Sequence, residues 1–208
     1  MSSQKTRFFL VAKIMIEWTH TFVFQEDTFL EFDKAIATSI KATRAKIFPQ
    51  TPQALRYVFL QDIAKQFVQL MKLPGYEDFV INMRHRRASE LWNVIRPLKY
   101  QQTDGDWQDM HNLMLEAHRL AELQFSNPAE YRYYFPKIAD AYNEASMFNM
   151  DEDFRTMPPD EIMARRTMVR LGALPQVMTR VTTADGILKT MTLLKAGVLL
   201  RVNDNQRR

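Results

Sequence analysis

The sequence changes in character near Met157, and this change constrains the fold more than any other feature. Before this point, apolar residues recur at helical spacing. After it, the run LPQVMTRVTTADGILKTMTLLKAGVLLRV is rich in β-branched residues and contains the pair Asp185-Gly186. Two β-forming segments around an Asp-Gly turn are typical of a β-hairpin. Because an isolated hairpin is only marginally stable in water, we expect this one to pack on the helical part.

Four segments before Met157 carry the signals of amphipathic helices, and three of them offer a capping residue near their first position. The segments are 26–48, 48–75, 105–125 and 126–148. Thr51 is the expected N-cap of the second helix, Asp106 of the third and Asn127 of the fourth. The fourth must kink or break at Pro136, since proline cannot continue the backbone hydrogen bonds of a helix.

These patterns together predict a mainly α fold with a C-terminal β-hairpin packed on five to seven helices. We expect a single domain over 1–208, with a helical body over 1–154 and a short basic helix plus the hairpin over 155–208. Residues 8–24 are compatible with either a strand or a buried helix.

Composition limits the classes of protein to which the chain can belong. A hydrophobic share of 46% and 14 Phe indicate a folded chain with a core rather than a disordered one. The chain has no Cys, which excludes disulfides, thiolate metal ligands and a Cys nucleophile, and favours an intracellular (cytoplasmic or nuclear) location. No apolar run reaches the roughly 20 residues that a membrane span needs, so we expect none.

Positive charge is concentrated in the last quarter of the chain. From Arg155 onwards there are ten Lys and Arg against four Asp and Glu, whereas the preceding residues are close to neutral. This excess is compatible with nucleic acid as a partner. The residues that could bind such an anion are Arg165, Arg166, Arg170, Arg180 and Lys189. Arg166 and Arg170 are four apart, so a helix would place them on one face.

A second basic run, MRHRR over residues 83–87, does not form a one-sided patch. Successive helical residues differ by about 100° in direction, so the four basic side chains point in four directions around the axis. Arg87 alone falls within the apolar stripe of this segment. An arginine there pairs with a carboxylate or contacts a partner, which makes Arg87 a candidate partner-binding residue.

Aromatic residues are concentrated in EYRYYFPKIADAY. Tyrosine suits positions where one end of the side chain is apolar and the other is hydrated, as at protein interfaces. Tyr131, Tyr133 and Tyr134 are therefore candidate partner-binding residues, with a role in closing the core around Pro136 as the alternative.

Metal and catalytic motifs are not evident. His111 and His118 are seven apart, about 10 Å along a helix axis, which is too far to share one ion. His118 is better explained as a partly exposed helix histidine than as a ligand paired with Glu122. We predict no metal ligand, no cofactor and no catalytic residue, and an enzyme with a site assembled from scattered residues stays an alternative.

Three stretches of the C-terminal half together resemble a group of uncharacterised proteins of filamentous fungi. They are a helix with Trp107, Glu116, Ala117, Leu120 and Ala121, then NPAEYRYYFP, then VRLGALPQVMTRV with a closing LLKAGVLL. The resemblance covers about half of the chain, is to the C-terminal half of those proteins, and implies no activity, cofactor or catalytic residue. By elimination, the leading function is protein–protein interaction or scaffolding, through a protein partner or self-association, with nucleic-acid contact or an enzyme whose site is not visible in the sequence as the alternatives.

Overall fold

The computed structural model describes residues 3–48, 50–99, 103, 105–182 and 187–202. Within these residues the helices are α1 (Ser3–Phe22), α2 (Glu26–Leu30), α3 (Lys34–Arg44), α4 (Gln53–Met71), α5 (Tyr76–Ile95), α6 (Gly105–Phe125) and α7 (Pro159–Ala164). The strands are β1 (Glu130–Tyr134), β2 (Met147–Asn149), β3 (Met168–Gly172), β4 (Gln176–Thr182), β5 (Leu188–Leu194) and β6 (Ala196–Arg201). Short 3-10 turns occupy Arg96–Leu98 and Glu152–Phe154.

The prediction of a mainly α fold with a single hairpin is wrong, because the described chain is mixed α/β and contains two three-stranded sheets. The orders are β1-β4-β5 in one sheet and β2-β6-β3 in the other. Strands β4 and β5 are neighbours, as the hairpin required, whereas Asp185-Gly186 lies outside the described residues. Strand β4 has a further partner, β1, on its other side, and β1 and β2 come from the part of the sequence that was expected to be helical.

The described chain divides into two compact units. The first, here called the strand unit, contains residues 3–16, 131–180 and 190–202. The second, the helical unit, contains the described residues of 17–130 and 181–189.

The strand unit is organised around β6, whose residues from Ala196 to Leu200 are all buried. Strand β2 pairs with it in parallel and β3 pairs with it in antiparallel orientation. A strand with neighbours on both sides satisfies its backbone groups internally, which explains why AGVLL can be buried as a continuous run. The core of this unit includes residues of β6 and of its neighbours, and Phe154 and Met157 pack against it. Its buried members are Tyr142, Met147, Ile162, Val169, Ala196, Val198 and Leu200.

A β-bulge interrupts the pairing of β3 with β6. Val169 pairs with Leu200 and Leu171 pairs with Leu199, so Arg170 is an extra residue on the β3 side. A bulge changes the direction of the bulged side chain. Arg170 uses this to reach the buried carboxylate of Asp151, with 3.3 Å between Nη2 and Oδ2.

The helical unit follows the predicted periodicity closely. Asp33 caps α3 by accepting the N–H groups of Ala35 and Ile36, and this cap separates α2 from α3 within the predicted segment 26–48. Asp106 is not the N-cap expected for this helix, because α6 begins at Gly105; from the first turn, Asp106 accepts the N–H of Thr103 at 2.8 Å and forms an ion pair with Lys99. The largest buried side chains of this unit are Phe29, Phe67, Ile40, Leu70, Leu91, Ile95 and Met114.

Two other local predictions need correction, and one that was open is resolved. Thr51 does not cap α4, because its hydroxyl accepts the N–H of Phe48 and donates to the carbonyl of Lys46. The expected helix after Asn127 is instead strand β1. Most of residues 8–24, open between strand and helix, belong to α1. No described helix combines the length and the apolarity that crossing a membrane requires.

Candidate protein-interaction surface

Strand β5 forms one edge of the β1-β4-β5 sheet and is exposed along most of its length. Every residue from Lys189 to Leu194 is exposed, on both faces of the strand. The exposed fractions are 49% for Met191, 56% for Leu193 and 46% for Leu194. An edge strand has outward N–H and C=O groups that can pair with another strand, and proteins usually protect such edges with charges, proline or a covering element. Lys189 is the only charged residue of β5 and no proline interrupts it, so within the described residues this edge has little of that protection.

The other edge of β5 pairs with β4 of its own sheet. Gln176 of β4 donates from Nε2 to the Thr192 hydroxyl at 3.2 Å, and β4 is the central strand. The strand is therefore held in extended form and is ready to pair without a folding step. A pre-extended edge lowers the entropic cost of adding a further strand.

The tyrosine candidates lie on β1, the opposite edge of the same sheet, and not around a helix kink. Tyr131 and Tyr133 are two apart, so they lie on the same face of β1, and both are half-buried. Tyr134 is exposed. Burial, with a smaller contribution from Tyr131, raises the pKa of Tyr133 to about 12. The two half-buried rings therefore contribute to packing, and Tyr134 is the tyrosine of this group most accessible to a partner.

Tyr134 also holds the segment that follows β1. Its hydroxyl donates to Oδ2 of Asp140 at 2.6 Å, and the same oxygen accepts the N–H of Lys137 at 2.8 Å. These two hydrogen bonds lower the pKa of Asp140, since both favour the ionised carboxylate. The pair closes a turn directly after the exposed ring.

The basic candidates are distributed over several elements. Arg165 follows α7 and pairs with Glu161 at 2.6 Å, and Arg170 of β3 pairs with Asp151. Because α7 ends at Ala164, Arg166 and Arg170 do not share the helix face expected for them, and Arg166 has a left-handed backbone with φ of 49°. Arg180 lies on β4 and Lys189 on β5. Two of the five cations are thus neutralised by carboxylates of the chain itself.

Arg87 lies on α5 in the helical unit. Its Nη1 is 2.7 Å from Oε2 of Glu90, and its guanidinium carbon lies 5.5 Å from the centre of the Phe22 ring. Only 16% of the side chain is exposed. The arginine in the apolar stripe is therefore both ion-paired and stacked on an aromatic ring.

A group of polar residues is packed between α5 and α6 of the helical unit. The Tyr76 hydroxyl donates to Oε1 of Glu122 at 3.1 Å, and burial raises the pKa of both. His118 is fully buried, contrary to the partly exposed position expected for it. Its Nδ1–H donates to the Met114 carbonyl at 2.8 Å, whereas its Nε2 has no hydrogen-bond partner among the described residues.

The charge state of His118 follows from these surroundings. Burial is the main reason why its pKa falls to about 4, and the positive charges of Arg84 and Arg87 lower it further. The Met114 carbonyl acts in the opposite direction but does not compensate. His118 is therefore neutral at physiological pH, with its unprotonated Nε2 inside the unit.

Sequence reasoning missed both the exposed edge and the buried polar group. The β-branched residues around Asp185-Gly186 predicted a strand here, but no local signal shows that neither of its faces is covered. His118 and Glu122 are four apart on one helix, whereas Tyr76 and Arg84 belong to another helix, so no spacing in the sequence associates them.

No family model, no curated protein and no solved structure matches this chain.

Proposed function

We propose that this protein is a non-enzymatic interaction protein that pairs through the edge of β5 with an extended strand of a protein partner, in the first place a second copy of itself. The observation that carries this proposal is the uninterrupted exposure of Lys189 to Leu194 on an edge strand. Strand addition draws affinity from backbone hydrogen bonds and specificity from alternate side chains. The cysteine-free composition supports an intracellular setting for this interaction.

A second copy fits this edge in charge and in side-chain pattern. In an antiparallel pair of β5 strands centred on Met191, Met191 faces its own counterpart and Lys189 faces Leu193. No two lysines oppose each other, and apolar groups meet at the centre of the pair. Such a pair is isologous, which is the commonest arrangement in homodimers.

Replacing Met191 by lysine tests this arrangement. Two lysines would then face each other at the centre of the pair, so we expect the dissociation constant of the dimer to rise at least about tenfold. The measurement is the mass of the protein by gel filtration with light scattering over a concentration series. The wild type should show twice the 24.6 kDa of one chain, and Met191→Lys should show one chain at the same concentration.

The matched control is Ile138→Lys, which places the same charge on an exposed apolar residue of the strand unit outside β5. It should dimerise like the wild type, and circular dichroism should show the same secondary structure for both variants. A wild type that stays monomeric throughout the series would contradict the second copy as the partner. A dimer that survives Met191→Lys would show that its interface is not the β5 edge.

A further inference from the structure

Two histidines of the helical unit meet across α5 and α6. Nδ1 of His85 and Nε2 of His111 are 3.3 Å apart, and the ring centres are separated by 4.5 Å. The Trp107 ring packs edge-on against His111, with the ring centres 4.8 Å apart. His85 is exposed and His111 is half-buried, so solvent reaches the pair.

This separation suits two ligands of one metal ion. Imidazole nitrogens bind Zn²⁺ at about 2.0–2.1 Å, and in tetrahedral geometry two such nitrogens lie about 3.3 Å apart. A direct hydrogen bond between the two rings uses the same two atoms. An ion can replace that bond after a small rotation of the rings, which is easily accommodated because His85 is exposed.

We propose that His85 and His111 form a two-histidine site for a late divalent transition metal such as Zn²⁺, Cu²⁺ or Ni²⁺. Imidazole nitrogen selects these ions over Mg²⁺ and Ca²⁺, which prefer oxygen ligands. In the described part of the chain no group of three or more His, Cys, Asp or Glu is arranged around an ion. The bound ion therefore keeps open positions for water, and it links α5 to α6.

The spacing of histidines in the sequence predicted no metal site, because His111 and His118 are too far apart along one helix to share an ion. The partner of His111 is instead 26 residues away on α5. Only the antiparallel packing of the two helices brings His85 to it.

The test is titration of metal-stripped protein, from which any purification tag has been removed, with Zn²⁺ or Ni²⁺ by calorimetry, and with Mg²⁺ as a hard-ion comparison. We expect one ion bound per chain, and a rise in thermal midpoint of several degrees at saturating metal, because an ion that binds only the folded state stabilises it. His85→Asn and His111→Asn should each lower the affinity at least tenfold. His20→Asn is the matched control and should bind like the wild type.

The results of this titration either support the metal site or overturn it. The proposal is overturned by a wild type that shows no saturable binding, by retained affinity in both single variants, or by an equal response to Mg²⁺. If His111→Asn does not fold, His85→Asn decides the matter alone, since His85 is exposed and its replacement should leave the helices intact. Loss of binding in His85→Asn with an unchanged circular dichroism spectrum supports the site.

Discussion

Replacing Gly172 by alanine is expected to lower the free energy of unfolding of the strand unit by about 3 kcal/mol. A Cβ at this position would overlap the carbonyl oxygen of Pro136, and it would also lie 3.2 Å from the Pro136 Cβ. Because the obstacle is backbone and not the end of a flexible side chain, β3 or the segment around Pro136 would have to move. Urea unfolding, followed by a probe in the strand unit, measures the loss.

Gly105→Ala provides the control for this prediction. A Cβ at Gly105 would meet nothing within 4 Å, and alanine is favoured over glycine in a helix. We expect this variant to be as stable as the wild type or slightly more stable. Equal unfolding midpoints for Gly172→Ala and Gly105→Ala would contradict the close approach of β3 to Pro136.

The helical unit is expected to lose about 3 kcal/mol of stability on acidification because of His118 alone. Its pKa falls from an ordinary 6.5 to about 4 in the folded chain. In the unfolded chain the ring takes up a proton near pH 6.5, whereas in the folded chain it does not until about pH 4. The stability that depends on neutral His118 is thus complete above pH 6.5 and is lost progressively as the pH falls towards 4.

Urea unfolding at several pH values between 7.5 and 4, for wild type and His118→Leu, measures this contribution. We expect a shallower fall of stability with acidification in the variant, because leucine fills the buried position without titrating. Glu122 acts in the opposite direction, since its raised pKa lets the folded chain take up a proton first. The difference between the two proteins isolates His118, and parallel curves would show that His118 titrates normally in the folded chain.

Helices α4, α5 and α6 were predictable because their signals are local. The stripe on α5, with Val80, Met83 and Leu91 buried and Ile95 at its end, depends on residues three or four apart. The position of Arg87 within that stripe likewise indicated its half-buried ion pair. Such features are set by neighbours along the chain, so one sequence is enough to see them.

The strands before Met157 could not be predicted, because they lack such local signals. EYRYY alternates as a strand should, but Asn127, Pro128 and Glu130 resemble the start of a helix, and the partner of β1 lies more than 40 residues further on. Strand β2 has three residues, too few for any period to be recognised. Pairing over long distances in sequence decided both cases.

The sequence by itself determined the positions of α4, α5 and α6, the β-forming character of the last quarter and the exclusion of disulfides, because these depend on residue type and short spacing. The tertiary structure alone decided which strands pair, that β5 is left at an exposed edge, that His118 is buried with no partner for Nε2 among the described residues, and that His85 meets His111. Each of these depends on segments that are distant in sequence and become neighbours only when the core closes around them.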